Sequence, residues 1–316
     1  MRRHPAANAG AALGALGLTA AAAAHVWARH VEIHRFTLRE AELRILPPGT
    51  RPLRLLHISD IHLLPDQRRK LDFLTHLSTL QPDLVIDTGD NIASAAAVPV
   101  LAEALAPLLR RPGAFVMGSN DMFSPMPKNP ARYLLRDPRP KGFTERAEPD
   151  LPTDQLAARL TEHGWKDLTN TRARLVLDEL EVTLVGVDDP HLERDEMPAP
   201  KRAPGPEDAA PSAREPRAVL HLGVAHAPYR RVLDAFVADG ADLMLAGHTH
   251  GGQLRLPGIG AIVTNCDLPR AQARGLTRWR GVPLHVSAGM GASPYSNYRL
   301  MTPPEATLLT LRPSAP

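Results

Sequence analysis

Asp60 and His62 stand two residues apart, just behind the apolar run Leu53–Ile58. The same arrangement recurs along the chain. Leu84–Asp87 leads to Gly89, Asp90 and Asn91, and Ala114–Met117 leads to Gly118, Ser119, Asn120 and Asp121. Val219–Val224 is followed by His226, and Leu243–Ala246 by Gly247, His248, Thr249 and His250, with Gly251, Gly252 and Gln253 behind them. In open α/β sheets the residues just past the carboxyl ends of strands line the binding crevice. Five such ends would deliver imidazoles, carboxylates and an amide to one edge. That mixed nitrogen and oxygen set suits Mn, Fe, Zn or a mixed pair. It is too large for one tetrahedral ion and fits two ions sharing a carboxylate. Cys266 is the only cysteine, which excludes an intrachain disulfide and a cysteine-rich metal site. Gly89, Gly118 and Gly247 are expected to supply the backbone freedom that sharp ligand-bearing turns need.

Taken in order, Asp60-Ile61-His62, Gly89-Asp90-Asn91, Gly118-Ser119-Asn120-Asp121, His226 and Gly247-His248-Thr249-His250 resemble the motifs of the calcineurin-like metallophosphoesterase family. The resemblance runs from about Leu53 to Leu311. Residues 247–253 are similar to the subgroup of bacterial membrane-associated or exported phosphoesterases, some of which act on lipid-linked or sugar-nucleotide pyrophosphates. The family implies a four-layer α/β/β/α sandwich of two mixed sheets flanked by helices. It implies that Asp60, His62, Asp90 and His250 hold one divalent ion, and that Asp90 bridges to a second completed by Asn120, His226 and His248. Two such ions would polarise a phosphoryl group and generate hydroxide from bound water. The implied activity is hydrolysis of a phosphodiester, phosphomonoester or pyrophosphate in a phosphorylated small molecule or lipid-linked substrate.

The departure is at residues 118–121. The family usually reads Gly-Asn-His-Asp or Gly-Asn-His-Glu, and here the order is Gly-Ser-Asn-Asp. A gapless match puts Ser119 in the ligand position and Asn120 in that of the histidine. A one-residue slip keeps Asn120 on the metal, the favoured alignment, because an amide oxygen binds these ions better than a serine hydroxyl. Either way a histidine is missing, and a general acid contributes about 10²–10⁴-fold. The enzyme then needs a good leaving group or another donor. His191, behind Val187-Asp188-Asp189-Pro190, is a candidate donor, with a substrate-binding or structural role as the alternative. Asp121 is expected to orient a ligand or cap a helix. Catalytic work is thus expected of Asp90, Asn120, Asp121 and His191. His57, His76, His163, His221 and His285 are read as ordinary core or surface residues.

The elements that must position these residues alternate. Helical patterns at Gln67–Leu80, Val98–Leu109, Thr153–His163 and Tyr229–Asp239 lie between the apolar runs, which by itself supports an α/β fold. Residues 51–316 read as the catalytic domain, with insertions near 124–152 and 193–217. Residues 31–50 read as one or two connecting edge strands. No Asp, Glu, Lys or Arg stands between Arg3 and Arg29, so residues 1–30 are expected to be a signal anchor or export signal. An anchor would tie the chain to a membrane and leave the domain extracytoplasmic. Lys and Arg total 37 against 34 Asp and Glu, a net charge of +3. That is too small for a protein built to grip nucleic acid. Two rival functions remain: a cytoplasmic monoesterase or cyclic-nucleotide phosphodiesterase, and a metal-bound scaffold of weak activity.

Overall fold

The computed structural model describes residues 5–127, 148–199 and 218–314. The basic and aromatic stretch around Tyr133 and Phe143, and most of the proline-rich stretch 193–217, fall outside those residues.

Fourteen strands and six α-helices follow one another in the described chain. The strands are β1 (Thr37–Leu46), β2 (Leu53–Ile58), β3 (Leu84–Asp87), β4 (Gly113–Phe115), β5 (Lys166–Asp167), β6 (Thr171–Leu177) and β7 (Leu180–Gly186). They continue with β8 (Ala218–Val224), β9 (Leu243–Ala246), the short pair β10 (Arg255–Leu256) and β11 (Gly260–Ala261), β12 (Gly275–Trp279), β13 (Val282–Val286) and β14 (Glu305–Pro313). The helices are α1 (Pro5–His30), α2 (Arg68–Leu77), α3 (Ala97–Leu109), α4 (Ser119–Met122), α5 (Thr153–Thr161) and α6 (Arg230–Ala238).

Two six-stranded mixed sheets result, in the orders β1-β14-β2-β3-β4-β5 and β12-β13-β9-β8-β7-β6. Alternation along the strands explains the layers, because successive side chains point to opposite faces. In β2 and β3, Leu56, Ile58 and Val85 face α2, α3 and α5, where they meet Leu74, Leu101, Leu105 and Leu156. Their neighbours Leu53, Leu55, Leu84 and Ile86 face the other sheet and pack on Val182, Leu184, Leu220, Leu222 and Leu245. The far face of the second sheet, with Val185, Met244 and Leu284, is covered by Val232, Leu233 and Phe236 of α6. Helices, sheet, sheet and helix therefore form the four layers. Truncating one of these buried leucines to alanine would destabilise by about 2–5 kcal/mol.

The middle strands of each sheet are parallel: β2, β3, β4 and β5 in one, β7, β8, β9 and β13 in the other. Their carboxyl ends therefore share an edge within each sheet. β1 runs parallel to β14 along the outer border of the first sheet, so residues 37–46 form part of that sheet.

The anchor half of the expectation for residues 1–30 loses support, and the export-signal half is not addressed by the fold. A helix of 26 residues does form there, yet among the described residues no helix is long and apolar enough to cross a membrane. Alanine dominates the segment, and length alone does not supply the transfer energy of a leucine-rich span. The root of α1 is tied to the body instead. Arg299 N–H donates to the Ala28 carbonyl at 3.0 Å, and Glu32 accepts from the Trp27 indole at 3.0 Å and from Thr302 N–H at 2.6 Å.

Candidate metal centre

Loops at the ends of β2, β3, β4, β8 and β9 are laced together by main-chain bonds. Asp60 N–H donates to Gly89 O at 2.8 Å, His62 N–H to Asp90 O at 2.9 Å, and Gly247 N–H to His226 O at 2.8 Å. Asp60, His62, Asp90, His248 and His250 all have positive φ, between 45° and 67°. A non-glycine residue held there is strained by about 1–2 kcal/mol. Five of them gathered at one edge mark a place where side-chain direction takes precedence over backbone comfort.

The glycines work differently from the expectation. Gly89 does have φ of +85°, but Gly118 has φ of −114° and is not left-handed. Its constraint is space: a Cβ there would lie 2.3 Å from Asp90 Oδ1, and one on Gly247 would lie 1.9 Å from Ser59 Oγ. Gly118 and Gly247 let ligand carboxylates come close; only Gly89 supplies unusual backbone freedom.

Two sets of ligand atoms converge, Asp60 with His62 and His250, and Asp60 with Asp90 and His226, each within 4.8 Å of one another. Asp90 Oδ2 lies 3.4 Å from His62 Nε2 and 3.5 Å from His226 Nε2, so it stands between the two sets. His248 joins the second through Nδ1, 3.3 Å from His226 Nε2. Asn120 reaches the same carboxylate, with its side-chain amide 2.7 Å from Asp90 Oδ2 and its N–H 2.8 Å from Oδ1. Turning that amide over would present oxygen rather than nitrogen to a shared cation. Ser119 Oγ is one step further off, 3.5 Å from the Asn120 amide.

Two imidazole protons can be assigned from partners that only accept. His226 Nδ1 donates to Thr88 O at 2.7 Å and His248 Nε2 to Asn265 O at 3.1 Å, whereas His250 Nδ1 lies between Gly291 O at 3.1 Å and the donating Arg299 guanidinium at 3.2 Å. The remaining nitrogens point inward, toward one another and toward carboxylates. His62 Nε2 and His250 Nε2 face each other at 3.2 Å, and His226 Nε2 and His248 Nδ1 at 3.3 Å. Each such contact needs a proton or a metal ion shared between the two nitrogens. Orientation of ligand histidines by carbonyls on their outer nitrogens is what a metal site requires. The residues fit two divalent ions.

The electrostatics agree. Burial pushes the Asp60 carboxyl up to about 6, with Asp90 adding to the effect against the pull of His226. Burial also opposes charge on Asp90, but His226 and His62 outweigh it and hold that carboxyl well below the ordinary range. Burial opposes charge on His226 as well, and the carboxylates of Asp90 and Asp189 overcome it, raising that imidazole well above its usual value. Burial drives His62 down to about 4. A proton on His226 is the metal-free protein's substitute for a cation.

Beneath the ligands lie two supports. The Asp121 carboxylate accepts from the N–H groups of Asp90, Gly118, Asn91 and Ile92 at 2.6–3.2 Å. It clamps the Asp90 loop to the 118–121 turn from below. Asp60 rests on an uncharged chain: Ser59 Oγ donates to Asp60 Oδ2 at 2.5 Å and Thr88 Oγ1 to Ser59 Oγ at 2.7 Å. His57 Nε2 lies 3.0 Å from Thr88 Oγ1, and His57 Nδ1 lies 2.7 Å from His285 Nδ1. Because Thr88 has its one proton committed to Ser59, His57 must donate from Nε2 and accept at Nδ1, so His285 donates from Nδ1. The direction is thus set from His285 to Asp60. Sequence reading treats His57 and His285 as ordinary packed residues and misses this role.

His191 stands at the rim, its ring 4.5 Å from that of His248 and its Nδ1 2.9 Å from the Tyr229 hydroxyl. The edge therefore gathers Asp60, His62, Asp90, Asn120, His226, His248 and His250, with Asp121 below and His191 beside. Arg299 is fully buried behind His250, 3.2 Å from its Nδ1, whereas Tyr295 is exposed. Lys70 is a further residue the sequence reading passes over: its ammonium donates to Ile61 O at 2.6 Å and His62 O at 3.2 Å. Its signal is present in α2, where Lys70, Leu74 and Leu77 occupy one buried stripe.

Comparison with known proteins agrees with this geometry. The chain is 27% identical over 266 residues to the uncharacterized metallophosphoesterase YkoQ of Bacillus subtilis, covering 82% of this chain and 84% of that one. It is likewise 27% identical over 305 residues to the uncharacterized protein YpbG of the same organism, covering 93% and 95%. Among solved structures, the purple acid phosphatase PPD1 of yellow lupin matches with a TM-score of 0.40 and 10% identity, covering 80% of this chain and 46% of that one. The family model for calcineurin-like phosphoesterases matches residues 53–252, the span that carries every convergent ligand, and the chain belongs to that family.

Proposed function

We propose that the protein is a dinuclear-metal hydrolase of phosphodiester or pyrophosphate bonds, with Mn, Fe or Zn as its ions. The observation that carries this reading is the convergence of the His62, His226, His248 and His250 ring nitrogens around Asp60 and Asp90. Asp60, His62, Asp90 and His250 would hold one ion, and Asp90, Asn120, His226 and His248 the other. When bound, such a pair supplies Lewis acidity and a water acidic enough to attack near neutral pH.

The chain's own residues then have definite tasks. Asp90 places one carboxylate between both sets, and Asp121 keeps it there through the loop main chain. Thr88 and Asn265 hold the imidazoles of His226 and His248 with their outer protons engaged, and Gly291 with Arg299 fixes the outer nitrogen of His250. His191 carries a proton at the rim, where a leaving oxygen departs. The absence of a histidine from residues 118–121 favours leaving groups that need little protonation, which is why diester and pyrophosphate substrates rank above alkyl monoesters. Lipid-linked pyrophosphates fall within that class.

The test is a panel of bis(p-nitrophenyl) phosphate, monoesters, cyclic nucleotides and pyrophosphates, assayed with added Mn, Zn, Mg or Fe. Metal-dependent turnover of diesters or pyrophosphates is expected. A second reading, a metal-bound module of weak activity, rests on that same histidine-free turn. Two bound metals with no turnover of any panel member would select it.

A further inference from the structure

A cavity of about 340 Å³ lies behind the first ligand set, between the root of α1 and the start of α2. Two residues of its wall contact expected ligands. Lys70 donates to the carbonyl of His62, and the Gly291 carbonyl lies 3.1 Å from His250 Nδ1.

The wall carries four basic side chains, of which Lys70 is lowered to about 7 by burial and Arg299 faces Asp60, Glu305 and Glu32. That leaves the guanidiniums of Arg68 and Arg69 as its open charges. Arg68, Arg69 and Lys70 fill the first turn of α2, which contains no acidic residue. Cations are disfavoured there, because the helix dipole already places positive charge at that end. Among the described residues Arg68 and Arg69 make no ion pair, and Lys70, only 5% exposed, meets carbonyls rather than a carboxylate. Arg299 is also on the wall and fully buried, donating to the carbonyls of Gly291 and Thr302. Asp66 is the one carboxylate of the lining. His34, also on the wall, is lowered by burial and then by its basic neighbours Arg69, Lys70 and His30.

The rest of the lining is apolar: Ile33, Phe36, Met290, Ala292 and Pro304. Phe36 is held in place by stacking on Phe73 at 5.3 Å. A bare anion would leave this surface wet, and a neutral hydrocarbon would leave the cations unanswered. Guanidinium forks match phosphate oxygens, and two lie on adjacent residues.

We propose that this cavity binds an amphiphilic phosphate, its head on Arg68, Arg69 and the first turn of α2, its chain against Phe36 and Met290. The ligand lies behind His62 and His250 rather than over them, so the site is separate from the hydrolytic centre. Strain in the α2 dipole is a feature that a ligand would relieve, as binding sites retain locally unfavourable charge.

Calorimetric titration of the full chain, stripped of metal with a chelator, tests this with three probes: octyl phosphate, inorganic phosphate and octanol. Saturable binding of octyl phosphate is expected, at least about tenfold tighter than either control. The double variant Arg68→Glu/Arg69→Glu should weaken it at least about tenfold while raising the melting temperature, because glutamates suit a helix start. A destabilised fold cannot produce that pair of results. The proposal is overturned by no saturable binding, by equal affinity for inorganic phosphate or octanol, or by wild-type affinity in the double variant. Binding of octyl phosphate by a chain that hydrolyses no phosphoester would refute the hydrolase reading and leave this site standing.

Discussion

Asp60 and Asp90 sit in equivalent turns, each behind a parallel strand, each with positive φ, yet they are supported by opposite means. Asp90 is held through its main chain by the side-chain oxygens of Asp121, whereas Asp60 is held through its own Oδ2 by hydroxyls and imidazoles reaching back to His285. The consequences differ too: burial lifts Asp60 to about 6, while neighbouring imidazoles keep Asp90 well below the ordinary range. One carboxylate remains charged under all ordinary conditions and can bridge. The other stays close to protonation until a cation arrives. Two ligands of the same chemical type thus contribute a permanent charge and a conditional one.

The comparison breaks most completely at Asp90→Ala, which removes the carboxylate lying within reach of both His62 and His226. Both ions should be lost and activity should fall about a thousandfold or more, several kcal/mol of transition-state stabilisation. Elemental analysis with steady-state kinetics reads both. Asp121→Asn comes next. An amide cannot accept all four N–H bonds, and leaving buried donors unsatisfied costs about 2–4 kcal/mol of stability. Denaturant unfolding should show this alongside weaker occupancy of both sites.

On the Asp60 side, His57→Leu should weaken the ion held by Asp60, His62 and His250 about 10–100-fold while sparing the other. His57→Gln, which retains a donor toward Thr88, should recover most of that loss, and stepwise metal titration distinguishes the cases. Because Asp60 is raised to about 6, a proton competes with metal below that pH. Affinity at this site should therefore drop as the pH falls through 6, by about tenfold per unit, and level off above it. The smallest effect is expected of His191→Ala. A nitrophenolate leaving group needs little protonation, so its rate should change by only about two- to threefold, with a larger loss for alkoxide leaving groups.

The ligand set was legible because it sits at strand ends, and strand ends announce themselves as apolar runs that stop. Leu53–Ile58, Leu84–Asp87 and Leu243–Ala246 form strands over those very residues. β6 and β12 were harder to read, since edge strands with alternating exposure, as in Gly275–Trp279, lack a continuous apolar signature. The link from His57 to His285 was beyond reach. Strand periodicity puts His57 and Ser59 on one face, but His285 belongs to β13 of the other sheet, and only sheet-on-sheet packing brings it near. Lys70 could have been found, as a cation on an apolar stripe. In the amino-terminal segment the lack of charge was readable, but among the described residues no helix has enough apolar surface for a span.

Anomalous diffraction from crystals grown with Mn or Zn tests the central claim most directly. Two peaks are predicted, one enclosed by Asp60, His62, Asp90 and His250, the other by Asp90, Asn120, His226 and His248. A lone peak away from Asp90, or no peak at this edge with metal in excess, would contradict the account.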